Sequence, residues 1–369
     1  MTTLARATGL PPEPEDLDPS LVRRQVATVL DTFLDAKKAL AQVQGLPLDV
    51  PLAVAEFLNA GGKRIRPLLC VLGWHAAGGA GPTTSAVQIG ASLEMFHAFC
   101  LIHDDVMDHS DTRRGRPTVH RSLAGRHRPG RTAAAADDVG VGAAILAGDL
   151  ALIWADELIH RPESGLDPDQ RRRVVPLVDL MRTEVLYGQY LDLSATGRPS
   201  TDLDQALAIV RNKTAKYTTE RPLQIGAALA GADDEFLSRL SDFALPLGEA
   251  FQFRDDLLGT FGDQTATGKP ALDDLREGKH TVLVALALRA AEPTQARTLR
   301  ALYGHPHLGK EDADTLRGVL RATGAEQLVE DMIRARHERA LTVLEALPLP
   351  GAVRAVLTGL ADQTVWRSA

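Results

Sequence analysis

Cysteine is nearly absent: the 369 residues hold two, Cys70 and Cys100, each inside an apolar stretch. That excludes a disulfide framework and a thiolate metal site, and both read as reduced core residues of a cytosolic protein. Positive charge is not in excess either. The formal net charge is −7, so no global field calls for nucleic acid. No stretch reaches the roughly 20 uncharged apolar residues of a membrane span, which predicts a soluble, cytoplasmic chain. Alternation of β-branched and aromatic residues at period two is missing, so strands should be absent or trivial. No fixed-period repeat is visible. Nor does any Ser/His/Asp or Cys/His arrangement point to a side-chain nucleophile.

What is present is helical periodicity. Hydrophobic residues make up 44% of the chain, enough for a large core. Residues 1–19 are rich in Pro, Glu and Asp and predict a disordered leader. From 20 to 369 the pattern predicts one all-α domain, with apolar residues at helical spacing from Leu21 to Leu40 and again through each later segment. Residues 126–140 read as a mobile insertion and Val141–Ile159 as a buried helix. The helix carrying Lys213 is expected to break near Pro222.

Two aspartate clusters stand out. One is Asp104-Asp105 with Asp108; the other is Asp255-Asp256. Each follows an apolar run without Pro, which places it at a helix C-terminal end. Four residues apart, Asp104 and Asp108 stack on one helical face. They repel one another there and oppose the helix dipole. A chain that does this twice is built to hold something cationic, and oxygen-only ligands suit a hard ion such as Mg²⁺. A single such motif could equally be a solvated helix end; two are much harder to dismiss.

Basic residues are interleaved with these acids. Lys63 and Arg66 flank a Gly61-Gly62 break, where a helix N-terminus favours an anion. Arg113-Arg114 directly follows the first cluster, and paired guanidiniums can grip two phosphates. Lys213, Lys269 and Lys279 sit beside Thr or Gly in polar surroundings. Any one of these alone reads as surface charge. Together with the acids they describe a site for diphosphates and metal. His97 lies two turns before Asp104 and either faces the same cavity or is a core histidine. The His103-Asp104 pair also allows a His-Asp phosphohydrolase, provided further His ligands exist on neighbouring helices.

The run Gly61-Gly62-Lys63-Arg64-Ile65-Arg66-Pro67, then His103-Asp104-Asp105 through Arg113-Arg114-Gly115, Lys213-Thr214 and Gln252-Phe253-Arg254-Asp255-Asp256 occur in the order seen in trans-isoprenyl diphosphate synthases. This chain resembles that family from about 20 to 360. The resemblance implies a bundle of about ten core helices around a deep cavity, usually a homodimer, that condenses isopentenyl diphosphate with allylic diphosphates. By position, Asp104, Asp105, Asp108, Asp255 and Asp256 resemble the ligands of about three Mg²⁺. Arg113, Lys213, Thr214, Gln252, Lys269 and Lys279 resemble allylic-diphosphate contacts. Lys63, Arg66, His97 and Arg114 resemble isopentenyl-diphosphate contacts. The second motif departs from DDxxD at Gly259, and Asp263 is a possible substitute.

Product length is expected to depend on what lies under the first motif. Cys100, small and one turn below Asp104, leaves room; Phe99, with Phe96, would form part of a floor. That pattern resembles geranylgeranyl (C20) synthases, with farnesyl (C15) or longer products as alternatives. A terpene cyclase of the same class would not need Lys63, Arg66 and Arg114.

Overall fold

The apolar periodicity closes into helices almost everywhere. The computed structural model describes residues 11–14, 17–262 and 273–366. In order these form α1 (Pro19–Val43), α2 (Asp49–Asn59), α3 (Ile65–Ala76) and α4 (Thr84–Met107). A two-residue hairpin follows, β1 (Thr112–Arg113) against β2 (Arg116–Pro117). Then come α5 (Val119–Arg126), α6 (Ala133–His160), α7 (Pro168–Ala195) and α8 (Leu203–Ile209). A π-helical segment, Val210–Glu220, runs straight into α9 (Arg221–Leu229), and α10 spans Asp234–Phe261. The chain closes with α11 (Asp273–Glu277), α12 (Val282–Ala290), α13 (Pro293–Leu302), α14 (Lys310–Ala322), α15 (Ala325–Ala346) and α16 (Gly351–Val365). The expected all-α bundle is what forms.

Two apolar cores share α10. The larger gathers α1 to α4, α6, α7, α9 and the first half of α10. The smaller joins the second half of α10 to α8, α12, α14 and the start of α15. Helix α4 runs through the middle and is buried on nearly every side, which is why its sequence is apolar all round rather than striped. Two of its polar side chains are satisfied laterally: Ser92 Oγ donates to the Ala155 carbonyl at 2.6 Å and Gln88 Nε2 to that of Leu158 at 3.3 Å. Where α3 crosses α9, Gly73 and Gly226 allow backbone contact; a Cβ at Gly226 would overlap the Cys70 carbonyl.

Four expectations change. Residues 133–140 are no loose insertion but the first two turns of α6, started by a Thr132 side chain that accepts from Ala135 N. Alanine-rich sequence there propagates the helix, whereas the basic, glycine-containing residues before it suggested a loop. Helix α6 is also only half-buried: Leu146 is 61% and Ile153 58% exposed, and on α7 Tyr187 and Tyr190 are 66% and 67% exposed. No break occurs at Pro222. It sits at the first turn of α9, where the wider i→i+5 winding upstream leaves its missing N–H harmless. Finally, part of the leader is docked: Glu13 Oε1 and Oε2 accept from the Gly351 and Ala352 backbone N–H groups at 2.5 and 3.1 Å, capping α16.

Helices α4 and α6 do contain 18-residue windows of mean hydropathy 1.3 and 1.6, enough by composition for a membrane span. Counting uncharged residues missed them because each carries acids. The α4 window is 78% buried inside the bundle.

Candidate active site

A cavity of about 470 Å³ opens between α3, α4, α7, the π-helical segment and α10. Its walls carry most of the residues singled out by the sequence, among them Lys63, Arg66, His97, Asp104, Gln252 and Asp255. The acidic and basic groups collect at its mouth.

Asp104 closes the last turn of α4, and Asp108 is its C-cap. Around them stand a neighbouring cation, Arg113, and two drawn from distant parts of the chain, Lys213 and Lys279. Lys213 Nζ donates to Asp104 Oδ1 at 3.3 Å and to Asp192 Oδ2 at 2.5 Å. Arg113 Nη2 reaches Asp104 Oδ2 at 3.4 Å, and Gln189 Nε2 donates to Asp104 Oδ1 at 3.1 Å. Lys279 Nζ donates to Asp108 Oδ2 at 2.7 Å and sits 2.8 Å from Glu277 Oε2. Burial alone would raise the Asp104 carboxyl, but Lys213, Lys279 and Arg113 outweigh it and bring it down to about 2. Burial likewise works against the Lys279 ammonium, and Asp108, Glu277 and Asp104 push it well above the ordinary lysine range. Asp104, Lys213 and Lys279 are therefore held in their charged forms.

Asp105 does not join this face. One residue around the helix from Asp104, it is turned inward at 1% exposure, and its Oδ1 accepts from Arg113 Nε at 2.8 Å. It aims the guanidinium rather than facing the opening.

Across the cavity, Asp255 lines the wall from within α10, and Asp256 Oδ1 accepts from Gln252 Nε2 at 2.8 Å. Gln252 in turn accepts from Thr214 Oγ1 at 2.7 Å. So the second acidic pair lies inside the last two turns of α10, with Gly259 helical, rather than at its very end. Asp263 and Lys269 lie outside the described residues.

The other end of the mouth is basic. Gly61 and Gly62 take φ of 89° and 153°, and Arg64 and Arg114 are left-handed at 45° and 53°. Left-handed geometry in non-glycine residues is strain held by the surroundings, and it concentrates here. Arg114 Nη1 donates to the Gly61 carbonyl. A Cβ on Gly62 would crowd the Arg114 guanidinium at 3.1 Å, and the positive φ there strains any side chain. Arg66 Nη2 donates to Thr218 Oγ1 at 2.6 Å, its guanidinium 4.0 Å from the Tyr217 ring. His97 Nδ1 pairs with Tyr217 Oη at 2.8 Å; burial, then Arg66, Arg113 and Arg114, hold the imidazole well below its usual pKa and neutral.

Sequence reading missed Glu94, Tyr217 and Asp192 as parts of this site. Glu94 is buried in the apolar body of α4, its carboxyl raised by burial against the pull of Arg66, Arg64 and Arg114. A lone acid inside an apolar helix was the available signal. Tyr217 reaches the cavity only because the π winding re-phases Lys213, Thr214 and Tyr217, which no 3.6-residue template detects.

His103 does not serve a histidine metal cluster. Its Nε2 pairs with the Ile145 carbonyl at 3.0 Å, and among the described residues no three His, Cys, Asp or Glu side chains converge on one point. The phosphohydrolase reading fails on that ground. The same observation fits a hard ion that takes one or two carboxylates and fills its remaining positions with water and phosphate oxygens. Asp104, Asp108, Asp255 and Asp256 are the residues able to hold it.

Glu184 anchors the wall beneath. Burial raises its carboxyl, but Arg221, bidentate at 2.7 Å, and Lys216, also at 2.7 Å, more than offset this and leave it lowered. Its contribution is therefore present above pH 4.5 and lost as pH falls below that value. Glu184→Gln should destabilise the fold by about 3 kcal/mol. Denaturant midpoints followed from neutral to acid pH should show the variant losing less stability than the wild type.

The sequence matches the polyprenyl synthetase family over residues 51–320. A geranylfarnesyl diphosphate synthase of Aeropyrum pernix is 34% identical over 297 residues, 80% of this chain and 87% of that protein. A geranylgeranyl diphosphate synthase of Saccharolobus solfataricus is 31% identical over 298 residues, 80% and 82% of the two chains. The crystal structure of a Corynebacterium glutamicum geranylgeranyl pyrophosphate synthase, complexed with isoprenyl diphosphate and magnesium, superposes with a TM-score of 0.90 at 41% identity, covering 95% of this chain and all of that one. With the motifs, the helical cavity and these matches in agreement, the chain belongs to the polyprenyl synthetase family of trans-prenyltransferases.

Proposed function

We propose that this enzyme elongates allylic diphosphates with isopentenyl diphosphate and stops at the geranylgeranyl (C20) product. The observation that carries the reading is one cavity with two cationic ends and an apolar floor. Lys213, Lys279 and Arg113 face the acids at one end; Lys63, Arg66 and Arg114 surround the glycine turn at the other; Phe99 and Cys100 line the depth between. The first end takes the allylic diphosphate and the second the isopentenyl diphosphate.

Asp104, Asp108, Asp255 and Asp256 would hold about three Mg²⁺ together with the allylic diphosphate. When bound, the metal supplies Lewis-acid neutralisation of the leaving group. Lys213, Lys279 and Arg113 stabilise the charge that develops as the allylic C–O bond breaks. Asp105 fixes Arg113, and Asp192 fixes Lys213, so neither must reorganise during the step. Arg66, held flat on Tyr217, positions the second diphosphate so that its alkene meets the allylic C1. A new C–C bond forms there, and the proton leaves to the released diphosphate. Aromatic and apolar walls exclude the water that would quench the cation.

Phe99 lines the cavity below Asp104, its ring 4.8 Å from that of His103 and 5.3 Å from that of Phe96. Phe99→Ala should lengthen the dominant product by at least one C5 unit; an unchanged product removes Phe99 from the floor. We also propose a cytoplasmic homodimer, in which a second copy covers the exposed apolar faces of α6 and α7. The deciding experiment incubates the protein with Mg²⁺, isopentenyl diphosphate and C5, C10 or C15 primers. A dominant C20 diphosphate supports the assignment, a C15 or longer product corrects the floor, and no condensation overturns it.

A further inference from the structure

Behind the aromatic floor lies a buried cation. Arg182 stands on α7 one turn deeper than Val185 and Leu186, which line the cavity. Phe96 stands on α4 one turn deeper than Phe99 and Cys100. The two meet: the Arg182 guanidinium lies 5.5 Å from the Phe96 ring centroid. Only Nη1 is tied off, donating to Asp156 Oδ1 on α6 at 2.9 Å and lying 3.8 Å from Asp179 Oδ1. Nε and Nη2 are buried with no hydrogen-bond partner among the described residues, and the side chain is 16% exposed.

We infer that Arg182 is a second, electrostatic stop to chain growth, set behind Phe99 and Phe96. The inference rests on the elongation reading above. A growing isoprenoid tail gains by displacing water from apolar walls, and an aromatic ring can be pushed to another rotamer to let it pass. A guanidinium behind that ring is different. Nε and Nη2 already lack a partner, so a tail that pushes the Phe96 ring aside would strip the guanidinium of its aromatic contact and leave the charge facing hydrocarbon, with nothing offered in exchange. The pair with Asp156 holds the group where the tail would arrive, bracing it between α6 and α7. Enlarging the floor therefore lengthens products by a limited amount, and only removing the charge opens the path further.

The test compares product lengths in a fixed assay with a C15 primer and excess isopentenyl diphosphate. Phe96→Ala/Phe99→Ala is set against the same pair carrying Arg182→Met, and against the pair carrying Arg182→Lys. The methionine triple variant should extend its products by at least one further C5 unit, with a tenfold or greater rise in chains beyond the limit of the double variant. The lysine triple variant should keep that limit. Identical profiles for the double and methionine triple variants overturn the proposal, as does release of longer chains by lysine as well. Wild type and Phe99→Ala, run alongside, report separately on the C20 floor, so failure of that reading is not confused with failure of this one. Far-UV circular dichroism and a first-condensation rate equal between the double and triple variants show that the Arg182 change itself leaves fold and site intact.

Discussion

Asp104→Ala is expected to lower kcat/KM for condensation by about 10³-fold or more, since one preorganised charge-stabilising group is worth 10²–10³ and a metal ligand adds to it. Helical content should be unchanged. The structure explains why function and fold separate here. Asp104 accepts from Lys213, Arg113 and Gln189, yet both cations keep another carboxylate when it is removed: Lys213 has Asp192 at 2.5 Å, and Arg113 has Asp105 at 2.7 Å. No buried charge is left alone, so the usual penalty for breaking an ion network is small. What disappears is the anionic oxygen pointing into the mouth. Asp104→Asn, which keeps the shape, should be nearly as inactive if charge is what matters. Metal affinity in the presence of a diphosphate, read by calorimetry, should fall with activity. Near wild-type turnover in either variant would remove Asp104 from the metal site.

Gly188→Ala should be strongly damaging to both fold and site. A Cβ there would sit 2.6 Å from Asn212 C and from Lys213 Cα, both backbone atoms of the π-helical segment that cannot swing aside. Gly248 makes the matching approach from α10, where a Cβ would lie 2.6 Å from Ala215 Cα. The segment carrying Lys213 and Thr214 is thus wedged between two helices that touch it through glycine. Adding one methyl forces the wedge apart, at an expected cost above about 3 kcal/mol, and moves Lys213 off Asp104. Thermal unfolding should show a large loss, and whatever folds should show kcat reduced through misplacement of the lysine. Gly318→Ala is the control. It is helical, exposed and has nothing within 4 Å of a built Cβ, so it should gain up to about 1 kcal/mol. Equal behaviour of the two variants would refute the wedge.

Much of this was legible beforehand for physical reasons. Helical periodicity is a local signal, and α4, α7 and α10 emerge from it with their polar residues in place. Asp104 and Asp108 advertise themselves because paired acids at a helix C-terminus are unfavourable without a counter-charge. Glycine at 61 and 62 predicts a turn, and the turn is there with φ of 89° and 153°. Other features cannot be read from the letters. Asp105 looks equivalent to Asp104 in a string of letters, and only its position around the helix turns it onto Arg113. Residues 133–140 look loose because they end a basic, glycine-containing tract, while a Thr132 cap and packing of α6 on α4 make them helix.

The amino-acid sequence by itself determined the class of fold, the two acidic clusters, the basic turn and the family, because each is written in residues close together along the chain. Tertiary structure alone decided which charges meet. Lys213 and Lys279 reach Asp104 and Asp108 from 109 and 171 residues away, and Arg182 comes to lie behind Phe96. Those pairings follow from helix packing, glycine-mediated close approach and a π winding that re-phases one wall. None of these leaves a periodic trace, since they depend on what a helix touches rather than on what it is made of.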